Sequence, residues 1–309
     1  MPTLFYTHPT CIEHDPGSYH PECPDRLRSV LIGLEDDEFH HLARHEAPEI
    51  GLSQVELVHS SEYVEQIMDN VPSSGLVSLD PDTSLSPASG EATRRAAGAA
   101  VSAVDKVMEN KADNAFCAIR PPGHHAESTR AMGFCLFNSA AIAAFHARVA
   151  HKLDRVAVID FDVHHGNGTQ HSLENDKGMF YGSSHQWPAY PGTGSKDEVG
   201  CADNVVNAPL APGAGSREFR QAYEDRILPG LRAFNPELLI ISAGFDAHAR
   251  DPLAQLNVQT GDYAWLTRQL MDVADEKCEG RVVSLLEGGY DLDALRESTQ
   301  AHVRTLMAV

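Results

Sequence analysis

The residues best suited to chemistry lie in Arg155 to Gln170, RVAVIDFDVHHGNGTQ, where an apolar run gives way to two aspartates and two histidines. Val156 to Ile159 is too short for a helix and rich in β-branched residues, so it is expected as a buried strand. Side chains of an extended chain alternate, so Asp160, Asp162 and His164 project to one side and Phe161, Val163 and His165 to the other. Two carboxylates and an imidazole on one side make a metal-site arrangement, because donors of this kind suit zinc, iron or manganese. A polar surface turn, or a hydrogen-bonded cluster without metal, is the alternative this stretch alone leaves open.

The elements that must position it follow from the rest of the chain. Thr3 to Tyr6 is expected as a first strand, followed by a loop from His8 to Pro24 whose length is uncommon unless it serves a site. Pro24 and Asp25 suit a helix start, with Leu27, Val30, Leu31 and Leu34 on its apolar face. Residues 52–70 contain a short helix, Pro72 to Pro87 is turn-rich, and Ser86 and Pro87 open a long Ala-rich helix to about Glu109. Ala115 to Ile119 is a strand, and Asn138 begins an Ala-rich helix leading to the central strand. After Gly168 come a short strand at Met179 to Gly182, a breaker-rich loop, and a helix from Ser216 to about Phe234. Then follow a buried strand at Leu238 to Ala243, a helix from Thr260 to near Gly280, a strand at Arg281 to Leu286 and a final helix. Continuously apolar strands alternating with helices specify one α/β domain over residues 1–309, a mostly parallel central sheet covered by helices on both faces.

The totals bound the function. A chain of 309 residues with 42% hydrophobic and 22% charged residues can bury a core, and no apolar run approaches the ~20 residues that span a bilayer. The N-terminus lacks the basic and apolar regions of a signal peptide, so a cytoplasmic location is expected. Six scattered cysteines form no CxxC pair and are expected as reduced thiols. A formal charge of −20 opposes contact with nucleic-acid backbones and favours cationic partners.

In a parallel sheet, ligands bind beyond the carboxyl ends of the strands. Four strands here run into polar sequence at that end: Gly123-His124-His125, the DFDVHHGNG stretch, Gly244-Phe245-Asp246, and Glu287-Gly288-Gly289-Tyr290. Together RPPGHHA, GFCLFN, DFDVHHGNGTQ, SAGFDAHARDPL and LEGGYD resemble the motifs of the histone deacetylase family of the arginase/deacetylase superfamily, in family order and over nearly the whole chain from HPECPDR onward. The EGGYD and HHGNG forms resemble class II and its bacterial members.

That resemblance implies a zinc-dependent amidohydrolase acting on acylated lysine or acylated amines. It makes Asp162, His164 and Asp246 the zinc ligands and His124 and His125 the acid/base pair. Asp160 would support His124, and Tyr290 would donate to the oxyanion. Where class I places an aspartate behind the second histidine, this chain has Asn167, which orients imidazole without stabilising imidazolium as an anion does, so His125 should have a lower pKa than with Asp. Gly133, Phe134, Tyr190 and Leu253 match the substrate tunnel, and Leu253 stands where polyamine-specific relatives carry glutamate. The resemblance also implies a structural potassium ion near Asp160, Asp162, His164 and Ser183, with Ser184 and His185 in the same segment, and an acetate channel lined by Arg26. An acetylpolyamine amidohydrolase, a two-manganese ureohydrolase and a non-catalytic acyl-lysine binder are the competing readings. His165, Asn138, His248 and His171 receive no role.

Overall fold

The apolar runs fold as strands of the structure, a computed structural model describing residues 1–308. In chain order they are β1 (Thr3–Thr7), β2 (Ala43–Glu46), β3 (Val77–Ser78), β4 (Ser84–Leu85), β5 (Asn114–Cys117), β6 (Val156–Asp160), β7 (Met179–Gln186), β8 (Val205–Leu210), β9 (Leu238–Ala243) and β10 (Val282–Leu286). β3 and β4 form a small antiparallel hairpin, and the other eight make one sheet in the order β2-β1-β5-β10-β9-β6-β7-β8. Every pairing in that sheet is parallel, as the continuously apolar strands require. The four polar strand ends belong to β5, β10, β9 and β6, which are consecutive neighbours at the centre of the sheet. Asp160 is in register with Ser242 of β9 and Ser183 of β7, so the β6 exit opens between those two strands.

Alternation along each strand fills two cores. Ala157 and Ile159 face a layer with Leu27, Val30, Leu266, Leu270 and Leu295, from the helices Pro24–Gly33, Thr260–Cys278 and Leu292–Leu306. Val156 and Val158 face the Ala-rich helices Ser89–Met108 and Ser139–His151. A small residue also lets the segment after β2 cross the first of these helices closely: a Cβ on Gly98 would lie 1.9 Å from the Pro48 carbonyl oxygen. No helix among the described residues is long and apolar enough to cross a membrane, and all six cysteines are free thiols.

Several boundaries differ from the expected ones. β2 is a polar, mostly exposed edge strand, and β8 an added strand next to β7, so neither carried a continuous apolar signal. β5 ends at Cys117 rather than Ile119, and β7 runs on to Gln186, placing Ser183, Ser184 and His185 inside a strand rather than after one. The Ala-rich helix starts at Ser89, because Ser86 makes a turn ahead of it in which its N–H donates to Ser89 Oγ at 2.7 Å. The helix expected from Ser216 to Phe234 is interrupted by a π-turn at Tyr223–Ile227, just before Pro229, whose missing N–H breaks the regular ladder. Asn167–Leu173, to which the sequence pattern assigned no element, is a short helix.

The long loop before Pro24 is pinned by a buried charge network. Glu22 accepts from Arg120 Nη2 and from Arg26 Nη1, each at 2.8 Å, with His14 Nε2 at 3.4 Å, and the carboxylate and both guanidinium groups are wholly buried. Arg120 also donates to the carbonyls of Cys11 and His14, tying the loop to the β5 exit. Burial alone would raise the Glu22 carboxyl, but Arg120, His14 and Arg26 outweigh it and hold it well below the usual carboxylate range. Its contribution to stability is therefore fully present above about pH 4.3 and is lost only as pH falls toward the depressed folded value. Glu22→Ala, which strands two buried guanidinium groups, should cost roughly 3–5 kcal/mol in urea unfolding at neutral pH. The difference from wild type should shrink in strong acid.

Candidate active site

β6 delivers Asp160 to the carboxyl rim, and the next residues fold back on it through side-chain bonds. Asp160 Oδ1 accepts the Asp162 N–H at 3.1 Å, and Asp162 Oδ1 accepts the His164 N–H at 2.9 Å. Asp162 Oδ2 accepts the Gly288 N–H from the β10 exit at 2.9 Å, and Asp246 Oδ1 from the β9 exit accepts the Val163 N–H at 2.8 Å. His164 Nδ1 then lies 3.1 Å from Asp162 Oδ1 and 3.2 Å from Asp246 Oδ2.

Asp162, His164 and Asp246 each present a donor atom within 4.8 Å of the others. Both carboxylates are buried, and among the described residues Asp246 Oδ2 makes no well-directed hydrogen bond beyond its ion-pair contact with His164. Burial would lower the His164 imidazole, but Asp162 and Asp246 drive it up to about 10. Burial and the neighbouring Asp162 charge push the Asp246 carboxyl up to about 7. Two buried carboxylates sharing one imidazole carry excess negative charge, and a divalent cation fits that donor set.

The histidine pair sits beside this group, with ring centroids 4.0 Å apart. His124 Nδ1 is 3.0 Å from Asp160 Oδ2, which also accepts the Tyr181 hydroxyl at 3.0 Å. Burial disfavours charge on His124, but Asp162 and Asp160 overcome it and raise its pKa well above the usual value. His125 is the opposite case: burial and the positive charges of His124 and His164 drive it well below. Asn167 Nδ2 donates to Glu127 Oε1 at 2.8 Å, which turns its oxygen toward His125 Nδ1, also at 2.8 Å. His125 therefore carries its hydrogen on Nδ1 and keeps the Nε2 lone pair.

A cavity of about 190 Å³ opens at this point, lined by Asp82, His125, Gly133, Phe134, His164, Tyr190, Leu253 and Tyr290. Phe134 stands edge-on to Tyr290 at 5.9 Å and Tyr190 edge-on to His125 at 5.2 Å. Tyr190 and Leu253 are partly exposed and form the mouth. Position 133 must be glycine, because φ is +56° and a Cβ would come within 2.4 Å of the His125 ring. Phe134 also adopts positive φ, and the pair is clamped by the loop between β3 and β4: Asp82 Oδ1 accepts the Gly133 N–H and Thr83 Oγ1 the Phe134 N–H, at 3.1 and 3.0 Å.

Residues 20–306 match the family model described as the histone deacetylase domain. The chain belongs to the histone deacetylase family. It is 37% identical to Histone deacetylase 14, chloroplastic, of Arabidopsis thaliana, over 98% of this chain and 76% of that protein. It is 38% identical to the Histone deacetylase-like amidohydrolase of Pseudomonas aeruginosa, over 87% of this chain and 71% of that one. The crystal structure of the HDA15 HD domain superposes with a TM-score of 0.93 at 34% identity, covering all of this chain and 89% of that domain. As a member of this hydrolase family, the chain carries its sheet and strand-end loops in the family architecture.

The structure brings together every residue expected at the rim: Asp160, Asp162, His164, Asp246, His124, His125, Asn167 and Tyr290. His165 points away, its ring nitrogens bonded to Thr193 and Gln170, each at 2.8 Å. Ser183 lies beside Asp160 across the β6–β7 register but bonds His185 Nδ1 at 2.9 Å. Arg26 is fully buried; it donates to the Gly289 and Glu287 carbonyls and lies 4.8 Å from the Tyr290 ring centre. Four residues that shape the site were given no role by the sequence. Asp82, Thr83 and Glu127 lie in segments that read as polar loop. Glu287 was visible in LEGGYD without a role, yet its Oε2 accepts the N–H groups of both Gly123 and His124, at 2.7 and 3.2 Å.

Proposed function

We propose that this chain is a zinc-dependent amidohydrolase removing acetyl or other acyl groups from lysine side chains or small amines. The observation that carries this reading is the convergence of Asp162, His164 and Asp246 at an apolar-walled pocket beside a neutral His125. Those three residues would hold the zinc, with Asp246 Oδ2 as a buried donor that makes no well-directed hydrogen bond among the described residues, and the ion would supply Lewis acidity for amide hydrolysis.

His125 acts as general base, its Nε2 taking a proton from water as the new C–O bond forms at the amide carbon. Tyr290 donates its hydroxyl hydrogen to the carbonyl oxygen as negative charge gathers there. The C–N bond then breaks, and the departing amine takes a proton from the histidine pair. His124, held cationic by Asp162 and Asp160, places positive charge beside the reaction. Asp160 and Asn167 fix the two rings. Gly133, Phe134, Tyr190 and Leu253 form a narrow tunnel for an unbranched aliphatic chain. We assign a structural potassium ion to the neighbourhood of Asp160, Asp162, His164 and Ser183, and an exit for the released acid to the space beside Arg26.

Tyr290→Phe should lower kcat by about 10²–10³ while leaving KM nearly unchanged, because the lost donor acts mainly on the developing oxyanion. Steady-state kinetics on one acetyl-lysine peptide check it. The reading as a whole is tested by comparing kcat/KM for acetyl-lysine peptides, longer acyl-lysines and acetylated polyamines, each with and without chelator and restored zinc. Chelator-sensitive amide hydrolysis is expected. Turnover of a guanidino substrate instead, or amide turnover indifferent to chelator, would overturn it.

A further inference from the structure

The helices Ser89–Met108 and Ser139–His151 run from the carboxyl rim back toward the strand starts, ending shortly before β5 and β6 begin. Their last turns therefore lie at the end of the sheet opposite the pocket. There Asp105 meets two histidines of the neighbouring helix: the Nε2 atoms of His146 and His151 each lie 2.7 Å from the same oxygen, Asp105 Oδ1. The two rings stand edge to face, their centroids 5.9 Å apart, with both Nε2 atoms turned to one point.

We infer that Asp105, His146 and His151 form a second transition-metal site, separate from the catalytic one. Among the described residues only this trio and Asp162, His164 and Asp246 bring three such donors within 4.8 Å of one another. Two imidazoles and one carboxylate suit zinc, cobalt or nickel. Asp105 pairs with no Lys or Arg among the described residues, Arg148 is engaged by Asp176 and Lys111 by Glu109, and Lys152 donates to the Val149 carbonyl. The side chains are 11% exposed at His146, 20% at His151 and 38% at Asp105, enough for an ion and its remaining water ligands to enter without unfolding. Because the trio joins two helices packed on one sheet face, a bound ion would crosslink their C-terminal ends.

Titration of the chelator-stripped full chain with Zn²⁺ by calorimetry, and with Co²⁺ by visible absorption, tests the assignment. Wild type should bind two equivalents. His151→Gln and Asp105→Asn should each bind one fewer, with an unchanged circular dichroism spectrum and unchanged turnover at saturating zinc. His164→Ala, altered at the other site, should keep the equivalent that His151→Gln loses, and zinc should raise its melting temperature. The inference fails if His151→Gln and Asp105→Asn bind as many equivalents as wild type. It also fails if the equivalent left in His164→Ala survives the addition of His151→Gln. Both comparisons are read from binding alone and hold whether or not the catalytic site takes zinc.

Discussion

His164→Ala should remove the catalytic equivalent of metal and lower kcat/KM at least about 10³-fold, to the level of chelator-treated wild type. Three donors become two, and the two that remain are buried carboxylates that no longer share an imidazole. Asp246, whose carboxyl burial and Asp162 already push up to about 7, would also lose the His164 contact that lowers it, and a carboxyl shifted toward its protonated form is a poorer ligand. Loss of a residue that merely orients a ligand typically costs about 10–100-fold in metal affinity, so loss of a ligand itself should cost more. Lewis-acid stabilisation is worth several kcal/mol, and about 4 kcal/mol corresponds to the stated factor. Elemental analysis after dialysis, together with kcat/KM, checks both halves. Full turnover by a variant lacking that equivalent would show that Asp162, His164 and Asp246 do not form the reaction centre.

The side chains that meet at this centre were legible in the sequence for a reason that only partly survives. Alternation along a strand put Asp160, Asp162 and His164 on one side, yet β6 ends at Asp160. Past that point the period of two is kept by side chains: each aspartate accepts the N–H two residues on, as aspartates do when they bond their own backbone. Asp246 and Tyr290 were legible because each closely follows an apolar strand, and a parallel sheet sends all such ends to one rim. What was not legible is contact between distant polar loops. Asp82 reaches Gly133, Glu127 reaches Asn167, and Glu287 reaches Gly123 across separations of 51, 40 and 164 residues, and no local spacing encodes such a meeting. The same holds for Asp105 with His146, which periodicity assigns only to polar positions on two Ala-rich helices. Arg26 was placed by the resemblance alone, since a charged residue in a first helical turn looks like surface until Glu22 and two backbone carbonyls are found around it.

The division of labour between the two histidines gives the other large expected effect. His125→Ala should lower kcat by about 10³ with little change in KM or in metal content, the scale expected for loss of a general base. The base must be neutral when substrate arrives. Burial and the adjacent His124 charge keep His125 well below its usual pKa, and the Asn167–Glu127 contact leaves Nε2 as its free nitrogen. On this reading His124 is the poorer base, because Asp160 at its Nδ1 and the nearby Asp162 favour its protonated form against the pull of burial. The sign of the pH dependence follows. Activity rises with pH as His125 loses its proton, and because that pKa is depressed the plateau should reach into mildly acidic solution. His124→Ala should slow the reaction and retain this acid limb, whereas His125→Ala should abolish it. Asn167→Asp should move the limb to higher pH, since an anion at Nδ1 stabilises the imidazolium that must not form before substrate binds. If the limb instead vanished in His124→Ala and stayed unmoved in Asn167→Asp, the base would be His124 and the assignment reversed.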